Sequence, residues 1–378
     1  MVCRGWEVPG DLLAALARVV DPRARRGVRH RLTVILAIGA CAVLAGARSL
    51  VAIAEWAHDL SPAVRVRLGI GRRAPSEAAI RRTLQAVEPG LLDRVLSAWL
   101  AARTSERPAG SWRALAVDGK TVRGARIGDG RAVHLLAAFD HLDGVVLGQT
   151  VVDGKSNEIT AFAPLLDGID ITGAVITADA LHTQHRHAEY LIGRGAHYLL
   201  TVKANQPSLH AQLRALPWRD IPAVDATRDK GHGRVESRTV KLTTVAAGIG
   251  FAHAKPAVQI TRRRRTLTGR RWRTETVYVI TDLTQDQISA DEIADIARVH
   301  WSIENRLHWV RDVTFAEDLS QIRAGHGPAV MASLRNLAIS VHRRAGATNI
   351  AAACRHVARH PNRVLPCSPG QTNYVGNE

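Results

Sequence analysis

Cysteine is scarce, and its placement excludes more than its number does. The four cysteines, Cys3, Cys41, Cys354 and Cys367, lie far apart and form no C-x-x-C pair. That argues against a zinc ribbon or finger and against a disulfide framework, and it suits a reducing cytoplasm. Long apolar runs are also missing. The longest, residues 32–47, is rich in Ala and Gly and short for a membrane span. It begins well inside the chain, behind Arg29, His30 and Arg31, with no A-x-A cleavage site, so it reads as a buried helix. No internal repeat or low-complexity segment occurs. Acids are in deficit: 34 Asp and Glu stand against 51 Lys and Arg, a formal net charge of +17. Such a field implies a polyanionic partner, and nucleic acid is the usual one because each neutralised phosphate releases counterions. A generally basic composition is the alternative. With 378 residues, 46% of them hydrophobic, the chain is globular and long enough for two or three domains.

Residues 1–105 read as an all-α N-terminal region. DLLAALARVV follows Pro9-Gly10, Ser49 caps LVAIAEWAHDL, and Ser76 caps EAAIRRTLQAV with Glu77 in its first turn. Residues 103–111 (RTSERPAGS) read as a linker. The pattern then changes. Strands are expected at 113–118, 133–139, 145–152, 174–177 and 197–202, with a turn at Asp143-Gly144. Helices are expected at 158–166, capped by Asn157, and at 185–193. Three meander strands followed by two crossovers give an α/β fold with a ribonuclease H-like mixed sheet. In that order the first and fourth strands are neighbours, and acids at their C-terminal ends can meet.

Residues 208–288 have a different character and read as a β-rich basic insertion, a two-stranded ribbon or small sheet. The core (106–207) resumes at 289–345. There Ser289 and Glu292 form a capping box, Ile288 and Ile293 a staple, and one long helix places His300, Glu304, His308 and Arg311 on a common face. A further helix is expected near 329–344. Residues 346–378 form a C-terminal tail, read as polar and disordered from Cys367 onward.

Asp118 closes the first expected strand, Asp179 the fourth, and Glu304 lies on the late helix. Two-metal phosphoryl transfer needs several carboxylates brought from separate elements to one point. Each position suits that need, although a lone Asp at a strand end is more often a turn or cap residue. The stretches VDGKTVRGA, VVDGKSNEITAFAPLL, ITADALHTQ, YLLTVKANQ, GHGRVESR and HWSIENRLHWVRDVTFAED resemble the DDE transposases of bacterial insertion sequences. Within these they resemble the subgroup with a tyrosine-arginine-glutamate-lysine signature, H-repeat-associated type. The resemblance implies Asp118, Asp179 and Glu304 as catalytic metal ligands, two Mg²⁺ or Mn²⁺ ions, double-stranded DNA (terminal inverted repeats and target) as substrate, and a homodimer on the DNA. It departs from the signature at three places: Ala297 stands at the tyrosine, His300 at the arginine and Arg311 at the lysine.

Other residues carry paired readings. Lys120 and Arg123 add positive charge beside Asp118. Lys203 and Asn205 follow the fifth strand and could hold phosphate, or form an ordinary polar loop. His300 and Arg311 are candidate phosphate holders. Arg263 and Arg264, in a basic run with Trp272, suit a backbone clamp with the indole stacking on a base, or a solvated ribbon tip. Arg81 and Arg82 suit a recognition helix or an amphipathic surface. His182, His185 and His187 suit a DNA-facing or solvated surface better than a zinc site. Trp301 and Trp309 read as packing residues.

Overall fold

The computed structural model describes residues 11–26, 28–105, 110–126, 130, 132–152, 157–231, 233–245 and 248–360. The tail from Cys367, part of the expected linker (106–109) and the whole of the DGKS stretch (153–156) lie outside the described residues. Helices α1 (Asp11–Leu16), α2 (Leu32–Leu44), α3 (Leu50–His58), α4 (Pro62–Arg67), α5 (Glu77–Ala86) and α6 (Pro89–Ala101) come first. Helix α2 is buried nearly all round, because its composition offers no polar stripe to turn toward water. Ser49 and Ser76 cap α3 and α5, as their side chains suggest. No helix among the described residues is long and apolar enough to cross a membrane.

Among the described residues nine strands form one sheet: β1 (Arg113–Arg126), β2 (Ala132–Asp140), β3 (Val145–Val152), β4 (Ala174–Ala178), β5 (His197–Val202), β6 (Ala223–Gly231), β7 (Arg234–Thr244), β8 (Pro256–Thr266) and β9 (Arg273–Thr281). Their order is β3-β2-β1-β4-β5-β9-β8-β7-β6. β1 pairs parallel with β4 and β4 with β5; the other pairs are antiparallel. The first five strands take the expected ribonuclease H-like order, with α7 (Glu158–Asp167) and α8 (His185–Gly193) between β3 and β5. Asn157 caps α7.

Three expectations need correcting. Strand β1 does not end at Asp118; it runs on to Arg126, paired with β2, because Gly119 leaves the ladder intact. The 208–288 segment begins with α9 (Pro207–Arg214) and then adds four long strands to the edge of the same sheet through β5 and β9. A ribbon reading misses this because strand partners distant in sequence leave no local mark. The late helix is not one regular helix: α10 (Ala290–Val299) gives way to a π-helical turn at Glu304–His308 and then α11 (Trp309–Val313). The Ser289–Glu292 capping box is present, and Ile288 and Ile293 are both buried.

Alternation on the strands sends side chains to opposite faces. Leu115 and Val117 face a core closed by α7 and α8, while Ala116 faces one shared with α2, α6 and the long helix α12 (Gly327–Arg344). Helix α13 (Ile350–Ala358) packs on α12. Helix α12 touches α2, α6 and β3, so the N-terminal helices and the sheet share one continuous core.

Candidate active site

Parallel pairing of β1 and β4 sets the site. Val117 lies opposite Ala178, so Asp118 and Asp179 follow from adjacent register positions at the point where β4 ends. The Asp179 carboxylate Oδ1 accepts from Leu181 N–H at 2.9 Å and caps the short helix Ala180–His182. From the other side the π-helical turn brings Glu304 and His308. His308 Nδ1 donates to Glu304 Oε2 at 3.1 Å and lies 3.6 Å from Asp118 Oδ2. One ligand atom each from Asp118, Glu304 and His308 lie within 4.8 Å of one another; Asp179 is not part of this tight group. Burial pushes the Asp118 carboxyl up to about 6; repulsion from Asp179 and Glu158 adds to this, and His308 and the Gly119 N–H oppose it. The His308 hydrogen bond holds Glu304 below its usual range.

His300 anchors the start of this helical stretch. Its Nδ1 meets Thr177 Oγ1 at 2.9 Å on β4. Burial takes its pKa down to about 4, so the ring is neutral near pH 7 and any phosphate contact it makes is through a neutral N–H. Arg311 is a clearer correction. It is fully buried, bonding Glu317 through Nε at 2.9 Å and Gln149 through Nη1 at 3.1 Å. A π turn holds an extra residue, which rotates the following face by about 100° and carries Arg311 from the site into the core. Lys120 is also buried, and its ammonium meets Asp312 at 2.7 Å. Arg123 is exposed, 3.7 Å from Asp318. Asn205 donates to Ala180 O at 2.7 Å and so braces the turn after Asp179, while Lys203 is exposed.

A cleft of about 470 Å³ opens beside Glu304 and His300, with Arg234, Arg238 and Arg262 on its far wall. Arg263 and Arg264 lie in β8 rather than at a ribbon tip. Both Arg263 and Arg265 lie over Trp272, 5.1 and 5.2 Å from the ring centroid. Arg264 lies 3.5 Å from Glu275. On α5, Arg81 pairs with Glu77 at 3.1 Å and Arg82 donates to Ala78 O; both are exposed. His187 is buried between two backbone carbonyls, not surface-facing, and His182 is buried against Glu158; His185 is exposed. Trp301 and Trp309 are more than half exposed, not packed.

Sequence reasoning misses two residues here. Helical spacing puts His308 on the shared face but gives it no role; its i+4 spacing from Glu304 is the available signal. Glu158 sits between His134 Nε2 at 2.7 Å and His182 Nε2 at 3.1 Å. Burial raises its pKa, but hydrogen bonds from the two imidazoles outweigh that and hold the carboxyl at about 2. In sequence it looks like any acid in a helix first turn.

Residues 111–341 match the family described as "Transposase DDE domain", and residues 13–100 match the one described as "DDE_Tnp_1-associated". Among similar proteins, "Putative transposase YncI" of Escherichia coli O157:H7 is 29% identical over 348 residues, covering 88% of this chain and 87% of that protein. "H repeat-associated putative transposase YhhI" of Escherichia coli K12 is 28% identical over 345 residues, covering 87% and 89%. A piggyBac transposase synaptic complex with hairpin DNA aligns over 96% of this chain and 86% of that one, with 10% identity and a TM-score of 0.43. The ribonuclease H-like strand order and the match across most of the sheet and its closing helices agree: this chain belongs to the DDE transposase family.

Proposed function

We propose that the protein cuts DNA at the ends of an insertion sequence and joins the freed 3′-hydroxyl to target DNA, with Asp118, Asp179 and Glu304 as its catalytic and metal-ligating acids. The observation that carries this reading is the β1–β4 register, which sets Asp118 beside Asp179 under the helical turn bearing Glu304 and His308. The donor set suits a divalent cation: Asp118 is pushed upward chiefly by burial and further by the nearby Asp179 and Glu158 carboxylates, charge that a cation would offset. Two Mg²⁺ or Mn²⁺ ions bound there would supply charge stabilisation for the attacking and leaving oxygens.

The chain's own residues do the rest by positioning. His308 fixes Glu304 toward Asp118, and neutral His300 ties the same stretch to β4 through Thr177. Exposed Lys203 and the arginines of the adjoining cleft would hold phosphates of the strand being cut. Double-stranded DNA is the partner this charge favours, and acting on two element ends calls for a dimer on the DNA. The work would be done at the nucleoid of the bacterial cytoplasm.

The test is cleavage and joining of labelled terminal-repeat DNA with Mg²⁺ or Mn²⁺, comparing wild type with Asp118→Asn and Glu304→Gln. Cutting and joining by wild type and loss of both in the variants is the expected result. Cutting without joining would make the protein a nuclease. Equal cutting by all three proteins would remove these acids from the site.

A further inference from the structure

Glu158 occupies a position that the acid triad does not explain. It is the first residue of α7, yet its carboxylate points back toward β1 and lies directly over Gly119. Gly119 does not need an unusual backbone angle. In this arrangement the Glu158 carboxylate fills the space that a Cβ at residue 119 would take, so a side chain there would require the carboxylate to leave its two imidazole partners.

Two imidazoles hold that carboxylate from different elements. His134 on β2 donates from Nε2 to Oε1 at 2.7 Å, and its Nδ1 lies 2.9 Å from the Thr121 hydroxyl on β1. His182 closes the short helix that Asp179 caps, and its Nε2 donates to Oε2 at 3.1 Å. Its side chain is buried, and Phe162, one turn along α7 from Glu158, packs on the ring at 5.1 Å. So α7 grips the Asp179 turn twice, through a hydrogen bond and through an aromatic contact. The same carboxylate touches the strand that carries Asp118.

We propose that Glu158 is a positioning residue for the acid pair. Its bridge between His134 and His182, seated on Gly119, sets the spacing between the Asp118 segment of β1 and the Asp179 turn. Glu158 does not need to touch DNA or a cation; it fixes where the two carboxylates that do are held. This inference rests on the reading of Asp118 and Asp179 as the reacting acids. Partners that orient ligands in this way commonly change metal affinity or activity by about 10- to 100-fold when removed.

Glu158→Gln is the direct test, because it keeps the shape and removes one acceptor. The amide oxygen can accept from one imidazole, but the other then faces an N–H donor. Three quantities are measured on the full chain: single-turnover cleavage of saturating terminal-repeat DNA, DNA affinity, and Mn²⁺ binding followed by the electron paramagnetic resonance of the free ion. The expected result is a cleavage rate about 10- to 100-fold lower and a weaker Mn²⁺ affinity by a similar factor, with DNA affinity within about twofold. His134→Gln removes one arm from a partly exposed position and should give a smaller loss in the same two quantities. Wild-type cleavage and Mn²⁺ binding in both variants, with Asp118→Asn inactive, overturns the inference alone. A drop in thermal stability with unchanged Mn²⁺ affinity also overturns it, since that is what a space-filling role would give. If Asp118→Asn cuts as wild type does, the underlying reading of the site fails, and this one with it.

Discussion

A guanidinium with no exposed surface cannot hold a phosphate, and Arg311 has none. Its partner Glu317 is equally buried and is shared with Arg335, which bonds the second carboxylate oxygen at 2.8 Å. Glu317 keeps a lowered pKa despite its burial because the two arginines sit against it. Removing one member of such a group leaves charge buried and uncompensated, a change that typically costs about 3–5 kcal/mol. Arg311→Ala is therefore expected to lower stability by about that amount in urea unfolding. Arg311→Lys should recover only part of it, since one ammonium cannot reproduce the fork that meets Glu317 and Gln149 together. A normal unfolding midpoint with weakened DNA binding would instead return Arg311 to the phosphate-holding role that helical spacing suggests.

Elements are readable where their signals are local. The β5 and α8 bounds and the Asn157, Ser76 and Ser289 caps follow from residues a few positions apart. Of the three candidate acids only Asp179 stands where its local signal puts it, just past the end of a short apolar strand; Asp118 lies inside β1 and Glu304 on a helical turn, and both stand out in the sequence through the motifs around them rather than through a strand end. What does not show is whatever depends on a distant partner: the continuation of β1 past Gly119, the docking of β9 on β5, and the His134–Glu158–His182 bridge. The π-helical turn leaves no mark either, and one extra residue in it is enough to misplace Arg311. A further long-range link joins α6 to the sheet. Asp93 is buried on α6; it accepts from Gln149 N–H on β3 at 2.6 Å and from Ser333 on α12 at 3.3 Å. Burial pushes its carboxyl up to about 7, well above the value of an unfolded chain. The folded state thus holds its proton more tightly. The stability this contributes is complete below about pH 4 and is lost as pH rises toward 7. Relative to Asp93→Asn, wild type should lose stability across that window by at most about 1.4 kcal/mol per pH unit, then run parallel above it. Denaturant midpoints of the two proteins from pH 4 to 8 test this, and a constant difference would show that Asp93 does not titrate there.

Across the whole molecule the positive charge is unevenly spent. Near Glu304 the cleft arginines are interleaved with acids: Arg262 meets Glu236 at 2.8 Å, and Glu275 also lines the wall. The N-terminal helices show the opposite pattern. Two adjoining concavities of about 720 and 640 Å³ share Arg29, His30 and Arg73, and among the described residues no carboxylate lines either. Arg26 and Arg82 border the first and Arg31 and Arg72 the second, with the N-terminus of α5 at the edge. Arg81, by contrast, is turned to Glu77 and borders neither. Arg23, which also lines the first, is paired with Asp21 at 2.7 Å, whereas no ion pair is seen for Arg29 or Arg73 among the described residues. A lining so predominantly positive is suited to a phosphate backbone rather than to base edges. Replacing Arg29 and Arg73 together by Ala should weaken duplex binding whatever the sequence. It should also reduce the slope of log affinity against log salt by about two, one for each phosphate that is no longer neutralised. Fluorescence anisotropy between about 50 and 200 mM salt reads that slope. The cleavage rate at saturating DNA should stay unchanged, because neither arginine reaches the acids. An unchanged slope would place the phosphate-binding surface elsewhere. A cleavage rate that falls while binding stays normal would mean that this surface communicates with the site through the core it shares with α12.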